Sequence, residues 1–107
     1  MPSYLKSGKI QFGIEMTFNR DGYHGLKILE TDNFSLLFVD AIEHPVKKVE
    51  KGIRIYRVEG GSGIFTIIRE DQTFDVYEVS YGDIVLIKTG DSYSYKGELK
   101  LFEVNIF

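Results

Sequence analysis

Gly82-Asp83-Ile84-Val85-Leu86-Ile87-Lys88-Thr89-Gly90-Asp91-Ser92-Tyr93 decides how the rest of this chain is read. Four consecutive apolar residues sit between Gly-Asp and Thr-Gly-Asp, both of them turn chemistry. The run is too short for a buried helix and suits a strand with both faces covered, one by a core and one by a second sheet or a partner subunit. Upstream, Arg54-Ile55-Tyr56-Arg57-Val58-Glu59-Gly60-Gly61-Ser62-Gly63-Ile64-Phe65 is similar: a β-rich run, a glycine reversal, then another β-rich run. Gly60-Gly61 permits a tight reversal between two strands because glycine tolerates backbone angles that other residues avoid.

The same pattern extends in both directions. Ile10 to Phe18 places apolar residues at every second position, the period of a half-buried strand, and Asn19-Arg20-Asp21-Gly22 follows as a turn. Shorter strands are predicted at Leu26–Leu29, Phe34–Val39, Ile53–Val58, Ile64–Ile68, Phe74–Val79, Ile84–Ile87, Tyr93–Tyr95 and Leu101–Ile106. Ile, Val, Phe and Tyr dominate them, as pleated packed surfaces favour. No window predicts a helix of ten or more residues. Many short strands between turns mean an all-β sandwich or a closed barrel, and closure also hides sheet edges.

The 107 residues fit a single domain, 1–107, with no boundary, repeat or low-complexity stretch. Hydrophobic residues make up 43% and charged residues 27%, a balance that can bury a core. Sixteen acids against thirteen bases, net charge −3, leave no electrostatic footprint for nucleic acid. The absence of cysteine excludes disulfides, thiol catalysis and cysteine-ligated metals. No run reaches the roughly 20 apolar residues of a membrane span, and the first residues lack an apolar signal core, so a cytoplasmic location is expected. Gly60-Gly61-Ser62-Gly63 joins strands and opens no helix, which excludes a phosphate-binding loop.

The two glycine-punctuated stretches resemble the two halves of a cupin domain. Residues 54–65 are similar to that family's strand-glycine-strand segment, and residues 82–93 to its second motif, G-D-x-V-x-I-P-x-G-x-x-H. Leu99 to Asn105 is similar to the closing strand, so the resemblance covers residues 53 to 106. It implies a double-stranded β-helix, or RmlC-like jelly-roll barrel, that pairs as a homodimer. The family's metal ligands do not carry over. Its glutamate falls on Arg54 and its second-motif histidine on Tyr93. No histidine occupies Lys47-Lys48-Val49-Glu50, and His44 lies too far upstream. An arginine repels a divalent ion, so no metal and no other cofactor is expected.

An inward Arg54 shares its strand face with Tyr56 and Val58, and Tyr93 shares one with Tyr95, by strict alternation. Guanidinium and phenols together suit a carboxylate, a phosphate or a sugar ring. Arg54, Tyr56, Tyr93 and Tyr95 are therefore the candidate ligand-binding residues. The competing reading pairs Arg54 with Glu103 or Glu59, or turns it to solvent if the register slips by one. Both histidines read as loop residues, His24 in Gly22-Tyr23-His24-Gly25 and His44 in Glu43-His44-Pro45. His24 with Tyr93 is the candidate catalytic pair, by resemblance to metal-free cupin-fold sugar isomerases and epimerases. The expected function is a metal-free barrel binding a small anionic or carbohydrate-like ligand. The alternatives are a metal-independent sugar or sugar-nucleotide isomerase or epimerase and a partner-binding regulatory module.

Overall fold

The computed structural model describes residues 16–20 and 23–107, with side chains from His24 onward. Seven strands are formed: β1 Met16–Arg20, β2 Tyr23–Glu30, β3 Phe34–Lys48, β4 Ile53–Ile68, β5 Phe74–Ser80, β6 Ile84–Lys88 and β7 Ser92–Ile106. All pairings are antiparallel: β1 with β2, β2 with β3, β3 with β7, β7 with β4, and β4 with both β5 and β6. Among the described residues no helix is long and apolar enough to cross a membrane. The strand predicted from Ile10 lies outside the described residues up to Glu15, and Asp21-Gly22 of the following turn does too.

The long strands hold the architecture together. β3, β4 and β7 each run through two sheets, bending where their registers shift, between Ala41 and Glu43 and between Val58 and Gly60. The sequence predicts separate strands on either side of Gly60-Gly61 and between Tyr95 and Leu101. The structure corrects this: each pair is one strand that bends without turning back. The correction has a steric basis. At the bend a Cβ on Gly97 would lie 2.5 Å from the Gly63 Cα, and Gly61 and Gly97 hold φ of +80° and +128°. β4 and β7 stay paired around the corner only because no side chain intervenes.

The first sheet carries the halves Phe34–Ala41, Leu99–Ile106 and Ile53–Val58, with β2 and β6 at its margins. The second carries Glu43–Lys48, Ser92–Lys96 and Ser62–Ile68, with β5. The core lies between them. Register stacks its side chains in rows that cross the strands. Val39, Leu101 and Val58 form one row near the bend, each no more than 2% exposed. Leu37, Glu103, Tyr56 and Val85 form the next, and Ser35, Asn105, Arg54 and Ile87 the last. On the facing sheet His44, Tyr95 and Phe65 align, with the exposed Tyr77 at the end of the row, followed by Tyr93 and Ile67 between the exposed Lys47 and Asp75.

The outward rows of the first sheet are nearly as apolar as its inward ones. Phe38, Phe102, Arg57 and Ile84 form one row, and Leu36, Val104, Ile55 and Leu86 the next. The second sheet differs: Lys96, Ile64 and Glu78 make one outward row, and Ser94, Thr66 and Val76 another.

Candidate functional site

Moving away from the bend, the barrel interior changes from hydrocarbon to polar groups while most of its side chains stay buried. Arg54 points inward from β4, its side chain only 16% exposed, and its Nη1 donates to the Tyr93 hydroxyl at 2.8 Å. Tyr56 and Tyr93, from opposite sheets, join hydroxyl to hydroxyl at 2.8 Å. Arg54 Nε stands 3.9 Å from Glu103 Oε2, an ion pair without a formed hydrogen bond. Asn105 Nδ2 donates to Ser35 Oγ at 3.1 Å. Three atoms of this cluster are buried without a protein hydrogen-bond partner: Arg54 Nε, Glu103 Oε1 and Asn105 Oδ1. Each such atom costs about 1–3 kcal/mol when left unpaired.

His44 completes one wall. It stacks on Tyr95 at 4.9 Å between ring centroids and on Tyr93 at 5.2 Å, and is 6% exposed. Its Nδ1 lies 2.7 Å from the Pro45 carbonyl oxygen, which can only accept. Nδ1 therefore carries the proton, and in the neutral ring Nε2 is the basic nitrogen. Tyr56 and Phe65 close the aromatic box, Tyr56 meeting Tyr95 edge-on at 5.7 Å and Phe65 lying 4.8 Å from Tyr95.

The electrostatics hold both phenols in the neutral form. Burial pushes the Tyr56 hydroxyl well above the ordinary 10.0, and the neighbouring Glu103 charge pushes it further. Burial also raises Tyr93, while the Tyr56 hydrogen bond and the Arg54 charge pull it back part of the way. For Arg54 burial acts downward, but Tyr93, Tyr56 and Glu103 together outweigh it and the net shift is upward. The guanidinium remains a fixed cation with a carboxylate beside it.

The structure brings Arg54, Tyr56, Tyr93 and Tyr95 together and points all four inward. It does not bring His24 there. His24 lies in strand β2 opposite Asp40, is exposed, and shares the outward face on which Asp40 pairs with Lys100. The candidate pair of His24 with Tyr93 is thus corrected, because the sheet wall separates them. The histidine at the cluster is His44, which is also a strand residue and not a loop residue. Arg54 does pair with Glu103, yet inside the barrel, while Glu59 pairs with Arg57. Sequence reading missed Asn105, Ser35 and the site role of Glu103; the polar Glu103 and Asn105 alternating with Phe102 and Val104 were the available signal.

A cavity of about 640 Å³ lies in the gap between β5 and β6, which both pair with β4 but not with each other, and no side chain of the cluster lines it. Ile67, Val79 and Val85 form its floor and Tyr77, Arg69 and Lys88 its walls. Ile67 neighbours Tyr93 and Val85 neighbours Tyr56 across the strand ladders, so the gap lies one side chain from the polar rows.

No protein-family model matches the chain, and no curated protein matches it in sequence. Solved structures do match in shape. The cupin domain of Schizosaccharomyces pombe Cnp3 superposes with a TM-score of 0.70 at 15% identity, over 87% of this chain and 69% of that one. The fold is that of a cupin. Hydroxypropylphosphonic acid epoxidase from S. wedmorenis, solved with fosfomycin, gives 0.77 at 14% identity, over 92% of this chain and 59% of that one. The Streptomyces nucleoside dehydratase Pac13 gives 0.75 at 14% identity, over 94% and 82%. Variants of that protein with a histidine changed to glutamine, or a tyrosine to phenylalanine at either of two positions, were solved with uridine.

Cupin barrels commonly hold a metal ion at this end, and the residues here do not fit one. Among the described residues no three His, Cys, Asp or Glu side chains converge. The nearest carboxylate, Glu103, already faces the Arg54 guanidinium, which would repel the ion.

Proposed function

We propose that this cupin barrel binds a neutral, hydroxyl-rich ligand, a sugar or a nucleoside, without a metal, at the cluster of Arg54, Tyr56, Tyr93, Glu103 and Asn105. The three unpartnered buried atoms carry this reading. Arg54 Nε is a donor and Glu103 Oε1 and Asn105 Oδ1 are acceptors, so the cluster offers both halves of what a vicinal diol needs. Phenol and imidazole faces beside them suit the apolar face of a sugar ring. An anion is the weaker fit, because the Glu103 carboxylate offsets the one cation in the cluster. The nucleoside dehydratase of the same fold supports this reading: the residues exchanged in its uridine-bearing structures are one histidine and two tyrosines, and this chain stacks His44 and Tyr93 beside Tyr56.

Thermal-shift and calorimetric titration with uridine, simple sugars and inorganic phosphate test it. A neutral ligand at a hundredfold excess over its Kd stabilises by about 2.7 kcal/mol, several degrees in Tm. Uridine or a sugar is expected to produce that shift in the wild type and not in Tyr93→Phe. A response to phosphate alone, or none to any neutral sugar or nucleoside, overturns the reading; the second outcome favours a partner-binding module.

The His44 tautomer favours a second reading, proton transfer on the bound sugar, as in a metal-independent isomerase or epimerase. Nε2 would take a proton from carbon next to a carbonyl, and the neutral Tyr93 hydroxyl would hydrogen-bond the oxygen where charge develops. Solvent deuterium entering the sugar, unaffected by chelator and lost in His44→Asn, is the expected signature; retention of exchange in that variant would sink this reading.

A further inference from the structure

We infer that the free edge of β5 is a docking strand for an extended segment of another protein, which pairs with it as one more strand of the second sheet. β5 ends the strand order, and among the described residues it pairs only with β4. The loop before it sets which backbone groups are spare. Arg69 N–H donates to the Thr73 carbonyl at 2.8 Å. From there antiparallel alternation turns the N–H and C=O of Asp75, Tyr77 and Val79 toward β4, and those of Phe74, Val76, Glu78 and Ser80 away from it. Asp83 takes the Ser80 groups: its carboxylate accepts from Ser80 N–H at 2.8 Å and its own N–H donates to the Ser80 carbonyl at 3.0 Å. Phe74, Val76 and Glu78 keep theirs, with no further hydrogen bond among the described residues.

Edge strands are ordinarily guarded by shortness, lysine, proline or a bulge. β6, at the margin of the first sheet, is so guarded: five residues ending on Lys88. β5 is not. Its seven residues keep an unbroken register and include neither lysine nor proline. Phe74, Val76 and Tyr77 are 63, 55 and 44% exposed. On its inner side lies the gap of about 640 Å³, where Tyr77 and Val79 stand over Ile67 and Val85 with no strand between β5 and β6. A strand added to β5 sends alternate side chains into that gap; main-chain pairing supplies affinity and the pocket supplies selectivity. Charge selects the kind of strand. Asp75 is held by Arg69 at 2.7 Å, whereas Glu78 makes no ion pair among the described residues. From Phe74 to Ile84 the chain carries Asp75, Glu78 and Asp83 and no cation, so a second copy of β5 brings none to the seam. The fitting partner is a foreign segment with apolar residues at alternate positions and lysine or arginine between them.

Amide hydrogen exchange of the whole chain, with a capped peptide of alternating lysine and valine as the probe, tests the docking. At millimolar peptide the Val76 and Glu78 amides are expected to exchange at least about tenfold more slowly, and those of β6 unchanged. A peptide of alternating glutamate and valine is expected to protect them less. Val76→Pro deletes an N–H that faces away from β4, which an edge strand tolerates, and is expected to abolish the protection at Glu78 with far-ultraviolet dichroism unchanged. Glu78→Lys, at an exposed site, is expected to reverse the preference between the two peptides. Slow exchange at Phe74, Val76 and Glu78 in the protein alone overturns the inference, because the edge is then already covered by this chain or by a second copy. So does a lack of protection at millimolar peptide, protection that survives Val76→Pro, protection confined to β6, or a peptide preference that Glu78→Lys leaves unchanged. None of these outcomes depends on the ligand proposed at the cluster.

Discussion

The two ends of the barrel interior are built by the same three strands, buried to the same depth, and chemically opposite. Near the bend Val39, Val58 and Leu101 are at most 2% exposed and wholly apolar. Farther out Tyr93, Tyr56, Glu103, His44 and Asn105 are 0, 1, 4, 6 and 7% exposed, and they carry hydroxyls, an imidazole, an amide and a carboxylate. Burying hydrocarbon stabilises by about 25 cal/mol per Å². Burying polar atoms is unfavourable unless each is paired, and here three are not. Depth of burial therefore does not say what a residue is for. The bend end supplies stability, and the far end leaves buried polar atoms without partners, which is why the ligand site is proposed there.

The largest effect that would sharpen this contrast belongs to the bend end. Leu101→Ala is expected to cost about 3 kcal/mol through a cavity the sheets cannot close, read from the urea midpoint, while ligand affinity of the folded protein is unchanged. A cost under about 1 kcal/mol would mean that the bend end is not the anchor. Arg54→Met comes next. It leaves Glu103 buried without its counter-cation and is expected to cost about 2 kcal/mol at neutral pH, discounted for the long 3.9 Å contact and the partly open guanidinium. Arg54→Met with Glu103→Leu is expected to recover that stability and to bind nothing, separating folding from function at this end.

A smaller effect is expected from Tyr56→Phe, about 1 kcal/mol for one hydrogen bond, with a pH signature of its own. Tyr56 and Tyr93 ionise less readily folded than unfolded. Above the ordinary 10.0 the unfolded chain releases these protons and the folded chain keeps them, so the native state binds more protons there. The stability these phenols contribute is fully present below pH 10.0 and is lost as pH rises through their folded values. Urea denaturation at stepped alkaline pH is expected to show a shallower decline in Tyr56→Phe than in wild type, and equal slopes would contradict the buried, neutral assignment. The smallest effect belongs to His24→Asn, within about 0.5 kcal/mol and without consequence for binding, as for any exposed side chain. His44→Asn measured beside it is expected to lose binding; equal behaviour of the two would break the contrast between the site and the surface.

The parts of this molecule that were legible in the sequence are those set by local alternation. Arg54, Tyr56 and Val58 share a face because strand side chains repeat every two residues, and the same holds for Tyr93 and Tyr95. His44 was not legible. Glu43-His44-Pro45 reads as a loop because proline lacks the N–H of a ladder, but β3 shifts register between His44 and Lys47, where the missing donor is tolerated. The strand boundaries at Gly60-Gly61 misled for a related reason. The same glycines serve a reversal or a corner, and the choice depends on whether β7 follows β4 around it, a contact to residues more than thirty positions away in sequence.

By itself, then, the sequence determined an all-β chain of cupin-like spacing, an arginine and a tyrosine where that fold usually keeps metal ligands, and two side-chain pairs with a common orientation, Arg54 with Tyr56 and Tyr93 with Tyr95. The all-β reading and the shared faces follow from period-two alternation and turn chemistry, which act between near neighbours, and the metal-ligand positions follow from the family resemblance. Only the tertiary structure decided that Arg54 meets both Tyr93 and Glu103, that His44 and not His24 joins them, and that one sheet leaves an apolar face outward. Those depend on the register between strands far apart in the chain, where a slip of one residue would exchange every inward side chain for an outward one.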